Sequence, residues 1–205
     1  MTNDNEFSVH GIKKNVEGHV KQVSQELRAG LNVLKKYQKS VTVFGSSRSN
    51  TNNPHYKDAE DLGYRVAEEL QYAVITGGGP GIMTAANRGA KRAGGNSIAI
   101  TIRLPHEQQT NPYVTEAIDC EYFMTRKSLL NFSAESYVFF PGGYGTLDEL
   151  FGVLTLIQTN KIPKVPIILI GKDFWNPLKN FLIENVVNIH HTIDAKDIEL
   201  FTVTD

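Results

Sequence analysis

Three short apolar runs in this chain each end in a glycine-rich turn, and each turn is followed by a helical pattern. The runs are Val41–Phe44, Val74–Thr76 and Tyr137–Phe140. Apolar strands that alternate with helices pair in parallel and are covered on both faces, because a crossover helix joins neighbouring parallel strands. The alternation predicts an α/β fold: a single Rossmann-like doubly wound parallel sheet with helices on both faces.

The same alternation extends over most of the chain. Apolar residues recur every three or four positions between Val16 and Leu34, which predicts an amphipathic helix before the first strand. Further strands are predicted at 97–102 and 165–170, and helices at 54–70, 81–93, 128–134, 146–159 and 176–188. We predict that residues 1–14 are a flexible N-terminal segment and that 15–205 form one Rossmann-like domain.

Charge and composition narrow the classes of partner. The formal net charge of −1 gives no global attraction to nucleic acid or membrane lipids, so any anion recognition must be local. No apolar stretch approaches the roughly 18 residues of a membrane-spanning helix, and the first residues lack the apolar core of a secretory signal. The single cysteine, Cys120, excludes an internal disulfide. We expect a cytoplasmic protein that binds neither nucleic acid nor membrane.

The turn at 141–145 has the chemistry of a phosphate site. Its three glycines, Gly142, Gly143 and Gly145, remove the side chains that would keep an anion away from the backbone. The free N–H groups and the dipole of the following helix favour an anion at this position, and Thr146 adds a hydroxyl donor. Glu149 follows one turn further along the helix, where its carboxylate can act on the molecule that carries the phosphate.

A basic pair precedes the third strand–turn–helix unit. Arg126 and Lys127 follow Met124 and stand just before a helical stretch, and Arg126 lies 23 residues before Glu149 with one strand between them. Adjacent basic residues are commonly solvated. In a doubly wound sheet, however, this spacing predicts that Arg126 and Glu149 project from connections at the same edge of the sheet.

The two earlier turns strengthen the case for a nucleotide. Gly77, Gly78, Gly79 and Gly81 follow the second strand, and Met83 opens the helix after them. Gly45 and Ser46 follow the first strand. A lone glycine turn is commonly only a tight connection between a strand and a helix. Three such turns in one small domain favour a site for a mononucleotide or dinucleotide.

These motifs resemble those of the Lonely Guy (LOG) family, which also carries a lysine decarboxylase label. Residues 141–149 match the family pattern PGGxGTxxE. Arg126 and Lys127 match MxxRKxxM, with Leu130 in place of the final methionine, and residues 77–82 approximate GGGxxG. The resemblance covers roughly residues 41–178, with the motifs in the family's order.

The resemblance implies a phosphoribohydrolase that acts on a small-molecule nucleotide, such as a cytokinin riboside 5′-monophosphate or AMP. Such an enzyme would release the free base and ribose 5-phosphate. We expect that it needs no cofactor and no metal. The implied catalytic residues are Arg126 and Glu149. The expected substrate-binding residues are Gly45, Ser46, Gly78, Gly79, Gly81, Met83, Met124, Lys127, Gly142, Gly143, Tyr144, Gly145 and Thr146.

Two other classes of function stay open at this level. A non-catalytic carrier would use the same turns to hold a nucleotide or a nucleotide-linked cofactor, although a pure carrier needs neither Arg126 nor Glu149. A dehydrogenase is less favoured, because no acid stands about 20 residues beyond a GxGxxG turn after the first strand. Decarboxylation is also less favoured, since nothing singles out a lysine for a pyridoxal Schiff base. The preferred base stays open.

Three further features support weaker expectations. The polar connection from Arg103 to Thr115, which includes His106, is long enough to line a base pocket or act as a lid. The pair His190-His191 is not expected to bind metal, because neighbouring helical residues point in different directions. Cys120 is expected to pack in an apolar stretch rather than act as a nucleophile.

The helix after Thr146 predicts self-association. Its apolar residues occupy more of the circumference than one sheet-covering face requires: Leu147, Leu150, Phe151, Val153, Leu154, Leu156 and Ile157. The family resemblance implies a homodimer with active sites near the subunit interface. We therefore expect a homodimer or a larger homo-oligomer.

Overall fold

The computed structural model describes residues 15–103 and 109–205 and has the predicted α/β architecture. Seven parallel strands form one sheet in the order β4-β3-β2-β1-β5-β6-β7. The strands are β1 (Ser40–Phe44), β2 (Ala73–Thr76), β3 (Ser97–Ile102), β4 (Glu116–Cys120), β5 (Ser136–Phe139), β6 (Ile167–Ile170) and β7 (Thr202–Thr204).

Within the described part of the chain, six α-helices join and cover these strands. They are α1 (Val16–Leu34), α2 (Pro54–Glu69), α3 (Ile82–Arg92), α4 (Phe123–Asn131), α5 (Tyr144–Gln158) and α6 (Lys172–Phe181). Helix α6 continues into a π-helix, Leu182–Ile189, and a short 3₁₀-helix, Ala195–Leu200, precedes β7. Within the described residues, no helix is both long enough and apolar enough to cross a membrane.

Two apolar layers hold the helices to the sheet. On one face, α2 and α3 pack on β1, β2 and β5 through residues such as Ala59, Ala86 and Val43. On the other face, α1, α4 and α5 pack through residues such as Leu129 and Leu150. Burial of both faces explains why the central strands are continuously apolar in the sequence.

The edges of the sheet differ from the prediction. Strand β4 was not predicted, because its burial alternates along Glu116–Cys120 instead of forming a continuous apolar run. Strand β7 was not predicted because it has only three residues, none of them fully buried. Helix α4 begins at Phe123, five residues before the predicted start, and α6 begins at Lys172, directly after the left-handed residue Gly171.

Some predictions fall outside the described residues. These are the flexible segment 1–14 and part of the connection after β3, including His106. The described end of this connection is anchored by Asn111, which is buried. Its backbone N–H donates to the Gly78 carbonyl at 2.9 Å, and its side-chain amide donates to the same oxygen at 3.1 Å. The end of the connection is therefore fixed against the turn after β2.

Candidate active site

A cleft of about 720 Å³ opens between the ends of β1 and β5, where the order of the strands in the sheet reverses. Ligands of open α/β sheets bind at such a switch point, outside the carboxyl ends of the strands. The turns after β1, β2 and β5, the end of β3 and the helices α3, α4 and α5 contribute to the lining. The lining residues are Phe44, Gly45, Ser46, Ser47, Arg48, Gly77, Met83, Ile102, Phe123, Arg126, Leu130, Gly143, Tyr144, Gly145, Thr146, Asp148 and Glu149.

The turn after β5 presents bare backbone to this cleft. Helix α5 begins at Tyr144, and its N-cap residue, Gly143, makes no side-chain capping hydrogen bond. A Cβ atom added at Gly143 or Gly145 would meet no atom of the described chain within 4 Å. The uncapped N–H groups and positive end of α5 thus remain available to an anion in the cleft.

Gly142 has a different place from its neighbours. A Cβ atom there would overlap the Thr146 hydroxyl, so this glycine lets the Thr146 side chain fold back under the turn. Thr146 is buried at the base of the cleft. Gly142 supports the shape of the turn and does not itself line the cleft.

The turn after β1 is tied to both other turns by its backbone. The Ser46 N–H donates to the Pro141 carbonyl at 3.0 Å, and the Ile82 N–H donates to the Ser46 carbonyl at 3.1 Å. Gly45 packs against Ile82, since a Cβ atom at this glycine would lie 2.8 Å from that side chain. Gly45 and Ser46 line the cleft as expected, together with Ser47 and the exposed Arg48, which were not predicted.

Fewer residues of the turn after β2 line the cleft than the sequence predicted. Gly77 and Met83 line the cleft, whereas the three predicted glycines Gly78, Gly79 and Gly81 do not. Gly78 and Gly81 have positive φ values of 76° and 72°, and a Cβ atom at Gly81 would overlap the Ser46 carbonyl. These glycines allow a tight turn and close packing of two loops.

Helix α4 directs three side chains into the cleft at spacings of three and four residues: Phe123, Arg126 and Leu130. Met124 lies outside the lining and is 64% exposed. In the pattern MxxRK, the first methionine stands three places before the arginine, and that position is Phe123 in this chain. The prediction of Met124 as a lining residue was therefore wrong, and helical spacing from Arg126 was the signal that would have identified Phe123 instead.

Arg126 is held by the sheet and faces the carboxylate. Its Nε donates to the Ile100 carbonyl at 3.0 Å, and its guanidinium lies over Gly77, where a Cβ atom would overlap Nη2. Burial lowers the pKa of the guanidinium, and Glu149 opposes this effect. An arginine stays charged despite such burial, so Arg126 brings a fixed cation into the cleft.

Glu149 is buried at the cleft wall, with 9% of the residue exposed. Its Oε2 accepts no hydrogen bond from the part of the chain that the structure describes. Burial raises the pKa of Glu149, and the charges of Lys127 and Arg126 act in the opposite direction. Arg126 and Glu149 therefore meet at one cleft, each desolvated and each biased by the other's charge.

Lys127 lies beside Glu149, outside the cleft lining, and forms a pair that the sequence did not reveal. Its Nζ donates to Asp148 Oδ2 at 2.6 Å and to the Asp148 carbonyl at 3.0 Å. The same Nζ lies 3.8 Å from Glu149 Oε2. Asp148 was not among the predicted site residues, although it also lines the cleft.

Other chemical groups give no competing site. Among residues 15–103 and 109–205, no cluster of three or more histidine, cysteine, aspartate and glutamate residues could hold a metal ion. Cys120 is buried in β4, and burial raises the pKa of its thiol to about 12. The thiol is therefore protonated at neutral pH and is not a ready nucleophile.

Comparisons with known proteins identify the family of this chain. The family model described as Possible lysine decarboxylase matches residues 83–205. A probable cytokinin riboside 5′-monophosphate phosphoribohydrolase of Arabidopsis thaliana is 31% identical over 70% of this chain and 72% of its own. A cytokinin riboside 5′-monophosphate phosphoribohydrolase of Rhodococcoides fascians is 26% identical over 70% of this chain and 74% of its own.

The fold is also shared with solved structures. A molybdenum cofactor binding protein from Rippkaea orientalis superposes with a TM-score of 0.57 and 26% identity, covering 79% of this chain and 91% of that protein. The molybdenum cofactor carrier protein of Chlamydomonas reinhardtii gives a TM-score of 0.59 at 23% identity, covering 82% of this chain and 89% of its own, and shows the fold alone. The family match, the relatives and the motifs agree: the chain belongs to the LOG family and is an enzyme of that family.

Proposed function

We propose that this protein hydrolyses the N-glycosidic bond of a nucleoside 5′-monophosphate and releases a free base and ribose 5-phosphate. One observation carries the proposal: the buried Glu149, with a carboxylate oxygen that accepts no hydrogen bond from the described residues, lines the same cleft as Arg126 and the uncapped N-terminus of α5. This reaction needs three features from the protein: a phosphate site, a carboxylate and a fixed cation.

The turn after β5 holds the phosphate in this proposal. Gly143, Gly145 and Thr146 surround the N-terminus of α5, where backbone N–H groups and the helix dipole favour a dianion. Glu149 lies less than two turns further along the same helix, so a phosphate at the N-terminus places the attached ribose near the carboxylate. Fixing the ribose in this way supplies part of the rate gain, because the reacting groups are already oriented.

Glu149 and Arg126 carry the chemistry. Cleavage of an N-glycosidic bond passes through a transition state that resembles an oxocarbenium ion, and a nearby carboxylate stabilises this positive charge. The Glu149 carboxylate, which lines the cleft, can also orient or deprotonate the attacking water. Arg126 presents several donors and stabilises the electrons that accumulate on the departing base.

The relatives suggest the substrate class. Those from Arabidopsis thaliana and Rhodococcoides fascians are named for cytokinin riboside 5′-monophosphates. Plain purine nucleotides such as AMP suit the phosphate site equally well. We therefore propose nucleoside 5′-monophosphates as the class and leave the preferred base to experiment.

A panel of nucleoside 5′-monophosphates tests the proposal, with the free base and ribose 5-phosphate quantified by chromatography. At least one member of the panel should be cleaved, and its kcat/KM should exceed that of the matching nucleoside by about 100-fold or more, since the phosphate supplies several charge-assisted hydrogen bonds. Similar kcat/KM values for AMP and adenosine would contradict the phosphate site at the N-terminus of α5. Cleavage of no monophosphate would contradict the hydrolase itself.

A second candidate is a carrier that binds its ligand without converting it. The likeness to the molybdenum cofactor binding protein of Rippkaea orientalis favours this alternative, because a phosphate-bearing ligand could occupy the same cleft. A carrier would bind a nucleotide and release no free base from it, even on long incubation. The buried charge of Glu149 argues for the hydrolase, since a carrier gains nothing from a desolvated carboxylate.

A further inference from the structure

Lys127 is shared between two neighbouring carboxylates. Its Nζ lies 2.6 Å from Asp148 Oδ2 and 3.8 Å from Glu149 Oε2. The shorter contact is a hydrogen-bonded ion pair, and the longer one is an electrostatic contact without a hydrogen bond. The two acids are adjacent on α5, but the Asp148 side chain is largely exposed, whereas that of Glu149 is only 11% exposed.

Lys127 affects the two carboxylates differently, because it bonds Asp148 directly and only lies near the buried Glu149. An ammonium at 3.8 Å favours the ionised form of a buried carboxylate, because the Coulomb interaction is poorly screened there. A direct hydrogen bond would favour ionisation more strongly, but it would occupy the oxygen and make it a weaker base. The observed position keeps Glu149 close to a cation while Oε2 accepts no hydrogen bond from the described residues.

We propose that Lys127 and Asp148 are positioning residues for Glu149: Lys127 keeps the buried carboxylate ionised, and Asp148 prevents Lys127 from closing onto it. The inference rests on the proposed function, in which the Glu149 carboxylate acts on the ribose or on water. It assigns Lys127 to the control of Glu149 rather than to direct contact with substrate, which agrees with its place outside the cleft lining.

The other charged and titratable groups around Glu149 do not replace this pair. From α4, the Arg126 guanidinium also favours ionisation, but its Nε is committed to the Ile100 carbonyl. From β5, the Tyr137 hydroxyl donates to the Asn131 carbonyl at 2.6 Å, and burial raises its pKa to about 12, so it stays neutral. Arg48 reaches the cleft from the turn after β1 and is exposed. Lys127 is thus the cation that Asp148 can control.

The test measures the pKa of Glu149 in the ligand-free protein by NMR of the glutamate carboxyl carbons, with the signal assigned by its loss in Glu149→Gln. Lys127→Met keeps the length of the side chain and removes its charge, and it should raise the pKa of Glu149. The expected rise in the pKa of Glu149 is about 0.5 to 1. This is small for a close ion pair, because the Lys127 side chain is partly exposed to solvent. Lys127→Arg should leave the pKa within about 0.3 unit of the wild-type value, because the cation remains.

Asp148→Asn should shift the pKa of Glu149 in the opposite direction. It removes a nearby negative charge and frees Lys127 to bond Glu149 directly, and both changes favour the carboxylate. If Asp148 acts through Lys127, the effect of Asp148→Asn should fall to less than half in the Lys127→Met background. Asp61→Asn, on the exposed surface of α2, removes the same charge and should leave this pKa unchanged.

The pH dependence of kcat/KM separates this inference from the proposed function. A catalytic carboxylate loses activity as pH falls through its pKa, so the acid limb should move up in Lys127→Met and down in Asp148→Asn. Equal pKa values of Glu149 in wild type, Lys127→Met and Asp148→Asn would overturn the inference. Shifts of opposite sign in a protein that cleaves no nucleotide would uphold the inference and reject the hydrolase.

Discussion

At the scale of single residues, Glu149 combines the features of a catalytic group with a cost to the folded state. Burial disfavours its charge, and Lys127 and Arg126 offset only part of that effect. Perturbed carboxylates in a cleft are candidates for catalysis on this physical ground. The arrangement makes the charge of Glu149, rather than its shape, the feature to remove in an experiment.

Glu149→Gln keeps the shape of the side chain and removes its charge. We expect kcat to fall by about 100-fold or more, because the oxocarbenium-like transition state loses its carboxylate and water loses its base. Calorimetric titration with AMP should give a Kd within about threefold of wild type, since the phosphate site at α5 is untouched. Glu68→Gln, exposed on α2, is the matched control and should retain full activity. Wild-type turnover in Glu149→Gln would reject the mechanism.

The sequence predicted the positions of the two proposed catalytic residues better than those of the residues around them. Arg126 and Glu149 were predicted to share one edge of the sheet, and the structure brings both to one cleft. The glycine run after β2 was less informative, because a sequence does not show which glycine faces a ligand and which only closes a turn. Gly77 lines the cleft, whereas the predicted Gly78 serves the turn. The link from Lys127 to Asp148 depends on how α4 packs on α5, and no local pattern records it.

At the scale of elements, the N-terminus of α5 is the part of the site with a single, separable task. Gly145 lines the cleft, and a Cβ atom there would meet no atom within 4 Å apart from its chain neighbours and the backbone of its own helix. Gly145→Val should therefore fold normally and still block an anion from the backbone N–H groups. We expect kcat/KM for a nucleoside monophosphate to fall by about 100-fold, while the already low value for the matching nucleoside changes by less than about threefold.

Two measurements keep this test interpretable. Far-ultraviolet circular dichroism and thermal unfolding should match wild type, because valine is no worse a helix former than the glycine that it replaces. Glu68→Val, exposed on α2 and outside the cleft lining, is the control: it also places a β-branched residue on a helix and should keep full activity. Equal losses for nucleotide and nucleoside in Gly145→Val would show that the turn does not read the phosphate.

The helices and strands were predicted best where the pattern of apolar residues is regular along the whole segment. Helix α1 and strand β3 have the predicted bounds, because the first has a regular apolar face and the second carries the apolar residues Ile98, Ala99, Ile100 and Ile102. The edge strands β4 and β7 escaped prediction, since an edge strand is partly exposed and loses the apolar signature of the sheet centre. The passage from α6 into a π-helix at Leu182 has no signal that we can identify in the sequence.

At the scale of the whole molecule, strand order decides where the site lies. The sequence predicted parallel strands, but a sequence of alternating elements is compatible with several orders in the sheet. The observed order puts β1 beside β5, so the turns that follow them meet at the switch point. The turn after β2 reaches the same cleft because β2 lies on the other side of β1. The proposed nucleotide site is thus a product of topology, assembled from motifs that lie up to about 100 residues apart.

The structure revises the argument for self-association. Much of the apolar circumference of α5 is occupied within one chain: Leu150, Val153 and Ile157 cover the sheet, and Leu154 faces a groove shared with the C-terminal segment. The remaining exposed apolar side chains on α4 and α5 include Met124 at 64% and Phe151 at 39% exposure. Phe132, just after α4, is 57% exposed. Exposed apolar groups on two helices that pack together are a surface for a second copy of the chain.

We therefore propose a homodimer that pairs α4 and α5 with their symmetry mates. Light scattering at micromolar concentration should give a mass near twice the 22.8 kDa of one chain. Met124→Lys places a charge in the proposed interface without altering the cleft lining, and it should shift the mass toward that of one chain. Leu70→Lys is the matched control, because Leu70 is 54% exposed just after α2, on the opposite face of the sheet. A single-chain mass for the wild type would reject the dimer, and an unchanged dimer in Met124→Lys would place the interface on another surface.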